Sequence, residues 1–145
     1  TKLFLPVLKK FEISFVLNMS SLGSLRPIPY KALYSASKAF IYSFSRAISS
    51  ELKEDSVHVS VSCPAGVYTN DAAVKRINVS GKIGKWTSLD ADIVAKYIVN
   101  GMLNGKRLII PGVGAKFLMI LMKLLPENLS RWLVGRNMKR NISAV

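Results

Sequence analysis

Apolar and polar residues recur along this chain with two different periods, and the switches between them mark out its elements. Leu3, Leu5 and Leu8 stand among lysines between Thr1 and Lys10, the spacing of the end of an amphipathic helix, although Pro6 lies inside it. Ile13 to Met19 is a short β-branched and aromatic run stopped by Ser20, Ser21 and Gly23, as a buried strand ending in a polar turn would be. A loop with Arg26, Pro27 and Pro29 follows. Ala36, Ala39, Phe40, Phe44, Ala47, Ile48 and Leu52 then recur at helical spacing, uninterrupted by glycine or proline, and predict a helix from Ala32 to about Glu54. Val57 to Cys63 alternates with period two and halts at Pro64, a second strand.

Asn70 to Lys85 is mixed and basic and reads as a mobile loop with room for one helical turn. Ser88 is the expected cap of a helix running to about Leu103, closed by the turn Asn104 and Gly105. A third strand is expected from Arg107 to Ile110, halted by Pro111 and Gly112. Phe117 to Leu125 is apolar except for Lys123, and Leu129 to Met138 forms a second short amphipathic piece with Trp132 and Leu133 among arginines. Strand, helix, strand, helix, strand is the order that builds an α/β fold with a parallel sheet and right-handed crossovers.

Composition agrees with one packed domain: 145 residues, 50% hydrophobic and 20% charged. Charge changes the picture more. Lysines and arginines number 21 against 8 acidic residues, a net +13 that suits nucleic acid, anionic lipid or an anionic cofactor. Beyond Asp92 the imbalance sharpens, since only Glu127 faces Lys96, Lys106, Arg107, Lys116, Lys123, Arg131, Arg136, Lys139 and Arg140. No helix-turn-helix, zinc or aromatic RNA-binding signature accompanies the charge, so nucleic acid is not the expected partner. The Phe117 to Leu125 stretch could cover a pocket or core, the favoured reading, or rest on a membrane surface. No apolar run approaches the roughly 20 residues that span a bilayer. The single cysteine, Cys63, excludes an internal disulfide and suits a reducing, cytoplasmic setting; with one histidine, His58, it cannot build a metal cluster. The chain opens in the middle of a pattern at Thr1, so an upstream portion is expected.

Tyr34 and Lys38 stand four apart on the long helix, which places both side chains on one face. An ammonium beside a phenol favours the phenolate, so such a tyrosine can exchange a proton near neutral pH. Ser21 ends the first strand, at the edge where parallel sheets place ligands, and its hydroxyl could hold a substrate oxygen. Any one of these residues alone is a weak signal. Together, Asn18-Met19-Ser20-Ser21, then Tyr34-Ser35-Ala36-Ser37-Lys38-Ala39, then Pro64-Ala65-Gly66-Val67-Tyr68-Thr69 resemble the short-chain dehydrogenase/reductase family in content, order and spacing.

That resemblance implies a catalytic Ser21, Tyr34 and Lys38: the serine orients the substrate oxygen, the tyrosine transfers the proton, and the lysine tunes the tyrosine and binds the nicotinamide ribose. It further implies cofactor contacts from Tyr34, Lys38, Pro64, Ala65, Gly66, Val67 and Thr69. Where the family has Pro-Gly this chain has Pro64-Ala65, which would pass any positive φ to Gly66. No Gly-x-x-x-Gly-x-Gly or Gly-x-Gly-x-x-Gly turn is present to cradle a pyrophosphate. The expected fold is therefore α/β, a partial Rossmann-like doubly wound parallel sheet lacking the N-terminal nucleotide-binding half. Residues 1–112 would be the C-terminal half of the oxidoreductase domain and residues 113–145 a basic amphipathic helical tail. The implied activity is NAD- or NADP-dependent interconversion of an alcohol and a carbonyl on a small-molecule substrate, a hydrophobic one being favoured, in a homo-oligomer. The alternative is a truncated, non-catalytic interaction or membrane-associated module.

Overall fold

The computed structural model describes residues 1–126, 128, 129, 134 and 135. Most of the amphipathic piece expected at Leu129 to Met138, including Trp132 and Leu133, lies outside the described residues.

The chain opens with a 3-10 turn, Lys2–Phe4, and the single-turn α1 (Leu5–Leu8), where Pro6 sits in the first turn and removes no helical hydrogen bond. There follow β1 (Ser14–Met19), a 3-10 turn at Leu22–Ser24, α2 (Ala32–Glu51) and β2 (Val57–Ser62). The rest is β3 (Val67–Tyr68), α3 (Asp71–Val79), α4 (Gly81–Thr87), β4 (Leu89–Asp90), α5 (Ala91–Leu103), β5 (Leu108–Ile109) and α6 (Val113–Leu124).

Strands β1, β2 and β5 form one sheet in that order, all parallel, with Ser14 opposite Val57 and Met19 opposite Ser62. Helices cover both faces. Val57 and Val59 pack with Ile48 of α2 and with Leu52 just past its end, and Val16 joins them. On the other face Ile109 and Leu17 meet Val94 and Ile98 of α5. Period-two alternation thus divides each strand between two helical layers, the arrangement of a parallel α/β sheet. A short parallel pair, β3 with β4, lies beside the main sheet.

Two expectations need correction. The stretch expected as a loop between Asn70 and Lys85 carries α3 and most of α4. Asn70 caps α3 by accepting from the Ala73 amide at 2.9 Å, and Asp71 stands in the first turn where the helix dipole favours an acid. Only Ala73 and Ile77 of α3 are buried, too few to leave a visible apolar stripe. Ser88 does not cap α5 either. It closes α4, Leu89 and Asp90 form β4, and Asp90 is the residue before α5.

Helix α6 is seated on the core. Ala115 is fully buried in a cluster with Leu22, Val61, Cys63 and Ile110, and Leu118 and Met119 pack against that cluster. At Gly114 the α6 backbone comes so near Trp86 that a Cβ would stand 2.7 Å from the Trp86 carbonyl oxygen, which only glycine permits. At the other end Arg26 donates from Nε (3.2 Å) and Nη2 (2.9 Å) to the Met122 carbonyl, and from Nη2 to that of Leu125 (3.2 Å). A cation thereby satisfies carbonyls that the end of a helix leaves open.

Candidate active site

The carboxyl end of β1 is stitched to α2 by three side chains. Asn18 Nδ2 donates to Ser45 Oγ at 2.9 Å, and Ser45 Oγ donates to the Ile41 carbonyl at 2.6 Å. Ser20 Oγ donates to the Lys38 carbonyl at 2.7 Å, while Lys38 Nζ returns across the gap to the Met19 carbonyl at 3.1 Å. Lys38 is thus held at both its backbone and its ammonium. Its Nζ lies 5.9 Å from the centroid of the Tyr34 ring, as the spacing of four requires. Tyr34 is 45% exposed, so its phenol is open to a bound molecule.

Ser21 has extended backbone and caps the 3-10 turn, its Oγ accepting from the Gly23 amide at 3.2 Å. In that bond the hydroxyl is an acceptor, which leaves its hydrogen for an oxygen of a ligand. A Cβ on Gly23 would lie 3.6 Å from both Ser21 Oγ and Tyr34 Cε1, so the serine and the phenol ring flank this glycine. Leu22 donates its amide to the Pro64 carbonyl at 2.9 Å and joins the serine loop to the loop after β2. Ser21, Tyr34 and Lys38 therefore converge at the carboxyl edge of the parallel sheet, with the Pro64 loop alongside.

In that loop Pro64 is buried, residues 65–68 are half-buried and Thr69 is exposed. The positive φ expected at Gly66 does not occur: the glycines with positive φ are Gly81, Gly105 and Gly112. Gly66 serves packing instead. A Cβ there would come within 2.1 Å of Ser88 Oγ, and the Leu89 amide donates to the Gly66 carbonyl at 3.1 Å. Ser88, whose Oγ donates to the Gly84 carbonyl at 2.6 Å, is the floor on which the loop rests. No pattern in the sequence marks it for that role.

These residues fit one half of a dinucleotide. The ammonium of Lys38 and the phenol of Tyr34 lie at the carboxyl end of β1, where a nicotinamide ribose would be held. The glycine-rich turn that would hold the pyrophosphate is not among these 145 residues.

Other reactive or charged groups are not part of this trio. Cys63 is fully buried, and burial pushes its thiol above the usual value, opposed by hydrogen bonds from Ser24 and Ser20 and the Ser21 backbone. His58 is exposed and stacks on Phe15 with ring centroids 5.4 Å apart. Desolvation lowers the Lys31 ammonium, and Arg76 of α3 adds like-charge repulsion at the entrance to α2. The residue before it, Tyr30, has φ 66°, a left-handed conformation that costs a side-chain-bearing residue on the order of 1 kcal/mol. A groove of about 490 Å³, which the sequence did not announce, is lined by Leu25, Ile28 and Pro29 of the loop and by Ala32, Ala36 and Ala39 of α2. Neither Tyr34 nor Lys38 lines it, so the groove and the phenol–ammonium pair occupy different faces of α2. Among the described residues no group of His, Cys, Asp or Glu could hold a metal ion.

The chain matches the short chain dehydrogenase family over residues 1–79. It is 41% identical over 69 residues to 17-beta-hydroxysteroid dehydrogenase type 3 of Mus musculus, covering 48% of this chain and 23% of that protein. It is 35% identical over 79 residues to very-long-chain 3-oxoacyl-CoA reductase of Neurospora crassa, covering 54% of this chain and 24% of that protein. The matched stretches thus span about a quarter of each of these two relatives. Among solved structures, a 7beta-hydroxysteroid dehydrogenase superposes with TM-score 0.77 at 20% identity, over 92% of this chain and 52% of that one. A short chain dehydrogenase from Burkholderia cenocepacia J2315 in complex with NADP superposes with TM-score 0.71 at 18% identity, over 92% of this chain and 53% of that one. At these identities the structural likeness establishes the fold, a partial Rossmann-like α/β sheet.

Proposed function

The chain belongs to the short-chain dehydrogenase family, and from that premise we propose that it is the catalytic part of an NAD- or NADP-dependent oxidoreductase that interconverts an alcohol and a carbonyl. The observation that carries this reading is the convergence of Ser21, Tyr34 and Lys38 at one carboxyl edge of a parallel sheet, with Lys38 Nζ 5.9 Å from the Tyr34 ring.

The nicotinamide, when bound, supplies or accepts the hydride. The chain's own residues handle the proton and the oxygen. In reduction the Tyr34 phenol gives its proton to the substrate oxygen, and in oxidation the same oxygen takes it back. Ser21 Oγ–H donates to that oxygen and fixes its distance from the phenol. Lys38 keeps a positive charge beside the ring, and its hydrogen bond to the Met19 carbonyl limits where the ammonium can go. Pro64, Ala65, Gly66, Val67 and Thr69 would hold the nicotinamide side of the cofactor, on a loop braced by the β3–β4 pairing and by Ser88.

A hydrophobic substrate agrees with the names of the relatives, a hydroxysteroid dehydrogenase and a very-long-chain 3-oxoacyl-CoA reductase; the apolar groove lies on the other face of α2 from Tyr34 and is not assigned to the reacting end of that substrate. In this reading residues 1–112 are the catalytic half-domain and residues 113–145 its helical tail. The exposed Leu33 and Phe40 of α2 support pairing of two copies, and the single buried thiol suits the cytoplasm. No helix among the described residues is long and apolar enough to cross a membrane.

Tyr34→Phe in the intact protein tests the assignment. Turnover is expected to fall by about 10² or more while NADPH affinity, read by fluorescence titration, stays within twofold of about its original value. Turnover retained in Tyr34→Phe would refute the role given to the phenol.

A further inference from the structure

Val113, Phe117, Ile120 and Leu124 recur along α6 at spacings of four, three and four, and all four are exposed, Val113 and Leu124 at 79% each. They form one apolar stripe about 16 Å long on the side of the helix turned away from Ala115. Phe117 meets Trp86 of α4 edge to face at 5.8 Å, and Trp86 is itself 58% exposed, so the stripe widens into a patch across two helices. Lys82 and Lys85 of α4 and Lys116 and Lys123 of α6 are exposed around it, and neither helix contains an Asp or Glu.

Single exposed apolar residues need no explanation, but a continuous aromatic and aliphatic row does. The charge around it selects the occupant. Protein-binding surfaces are poor in lysine, and a two-fold contact of this patch with itself would set lysine against lysine with no acid on either helix to separate them. Tryptophan and phenylalanine on an apolar face, with lysines beside them, are what a helix lying in a lipid headgroup layer requires. With 12 residues α6 is about 18 Å long, well short of the ~30 Å hydrocarbon core, so it can lie on a bilayer but not cross it.

We propose that the corner formed by α4 and α6 docks on an anionic lipid bilayer, with Phe117, Leu124 and Trp86 in the headgroup boundary and the four lysines on its negative charge. None of Ser21, Tyr34 and Lys38 belongs to this surface, and its test needs no turnover, so it stands or falls separately from the oxidoreductase reading.

The test is co-sedimentation of the 145-residue chain with vesicles of phosphatidylcholine, alone or mixed with phosphatidylserine. Binding to the mixed vesicles is expected, weakening as salt is added. In a Trp132→Phe background the emission of Trp86 should shift to the blue on binding. Phe117→Ser combined with Leu124→Ser should lower the partition coefficient at least about tenfold, with circular dichroism unchanged because both residues are exposed. Lys116→Gln combined with Lys123→Gln should weaken binding to the mixed vesicles and leave any binding to pure phosphatidylcholine as it was. Equal sedimentation of the parent and the Phe117/Leu124 variant would overturn the proposal, as would no binding to the mixed vesicles. So would a dimer, seen by analytical ultracentrifugation, that this variant dissolves while vesicle binding is absent.

Discussion

Between β1 and α2, Asn18, Ser20 and Lys38 each reach across to the neighbouring element with a directed hydrogen bond, whereas α4 and α6 meet through apolar surface and leave Trp86 and Phe117 in solvent. Directed bonds fix an angle as well as a distance, and apolar contact fixes mainly how close two elements come. The first region therefore holds Lys38 to one position beside Tyr34. The second has apolar area left over. The contrast teaches that in one small domain the groups that must be placed are tied by polar side chains at the point of use, whereas the α4–α6 contact is made by packing and α6 takes directed bonds at its far end, from Arg26.

Substitutions can sharpen or break this contrast. The largest effect on stability is expected at Ile48, 2% exposed between α2 and β2, where Ile48→Ala should cost about 2–5 kcal/mol in urea denaturation. A loss below about 1 kcal/mol would mean that the stitched region is less tightly packed than its bonding suggests. Gly66→Ala comes next, since its methyl would meet Ser88 Oγ at 2.1 Å; about 1–3 kcal/mol should be lost, and Ser88→Ala in the same chain should return part of it. Ser20→Ala removes the bond to the Lys38 carbonyl and should cost about 1 kcal/mol. Its sharper readout is the Lys38 ammonium signal by NMR, which should broaden as α2 loses its tether; an unchanged signal would show that the Met19 contact suffices. Phe117→Ser should be smallest, within about 0.5 kcal/mol by thermal melting, because the ring is 56% exposed. A large loss there would show that the α4–α6 corner carries more of the fold than its exposure implies.

The parts legible in the sequence were those repeating one simple period. The valines of β2 and the run from Ala36 to Leu52 declared a strand and a helix, and the parallel order followed from their alternation. The candidate site residues Ser21, Tyr34 and Lys38 could be named only through the resemblance to the short-chain dehydrogenase/reductase family, because a serine at a strand end and a Tyr-Lys spacing of four are each too common to stand out. What stayed hidden depends on one or two atoms of contact. Helix α3 buries only Ala73 and Ile77 and relies on the Asn70 cap, so its hydrophobic period is too faint to read. The role of Gly66 depends on Ser88, far along the chain, and no local pattern could reveal that the missing side chain makes room for a serine hydroxyl. Nor could the groove be read, since three small alanines along α2 look like ordinary helix until the Leu25 to Pro29 loop is laid over them.

The guanidinium of Arg26, five residues beyond Ser21, closes on the carbonyls of Met122 and Leu125. A shortened version of the chain that stops after Leu125 keeps that clasp, while one cut before Met122 strips it and leaves the serine loop to be held by the Leu22 amide on the Pro64 carbonyl.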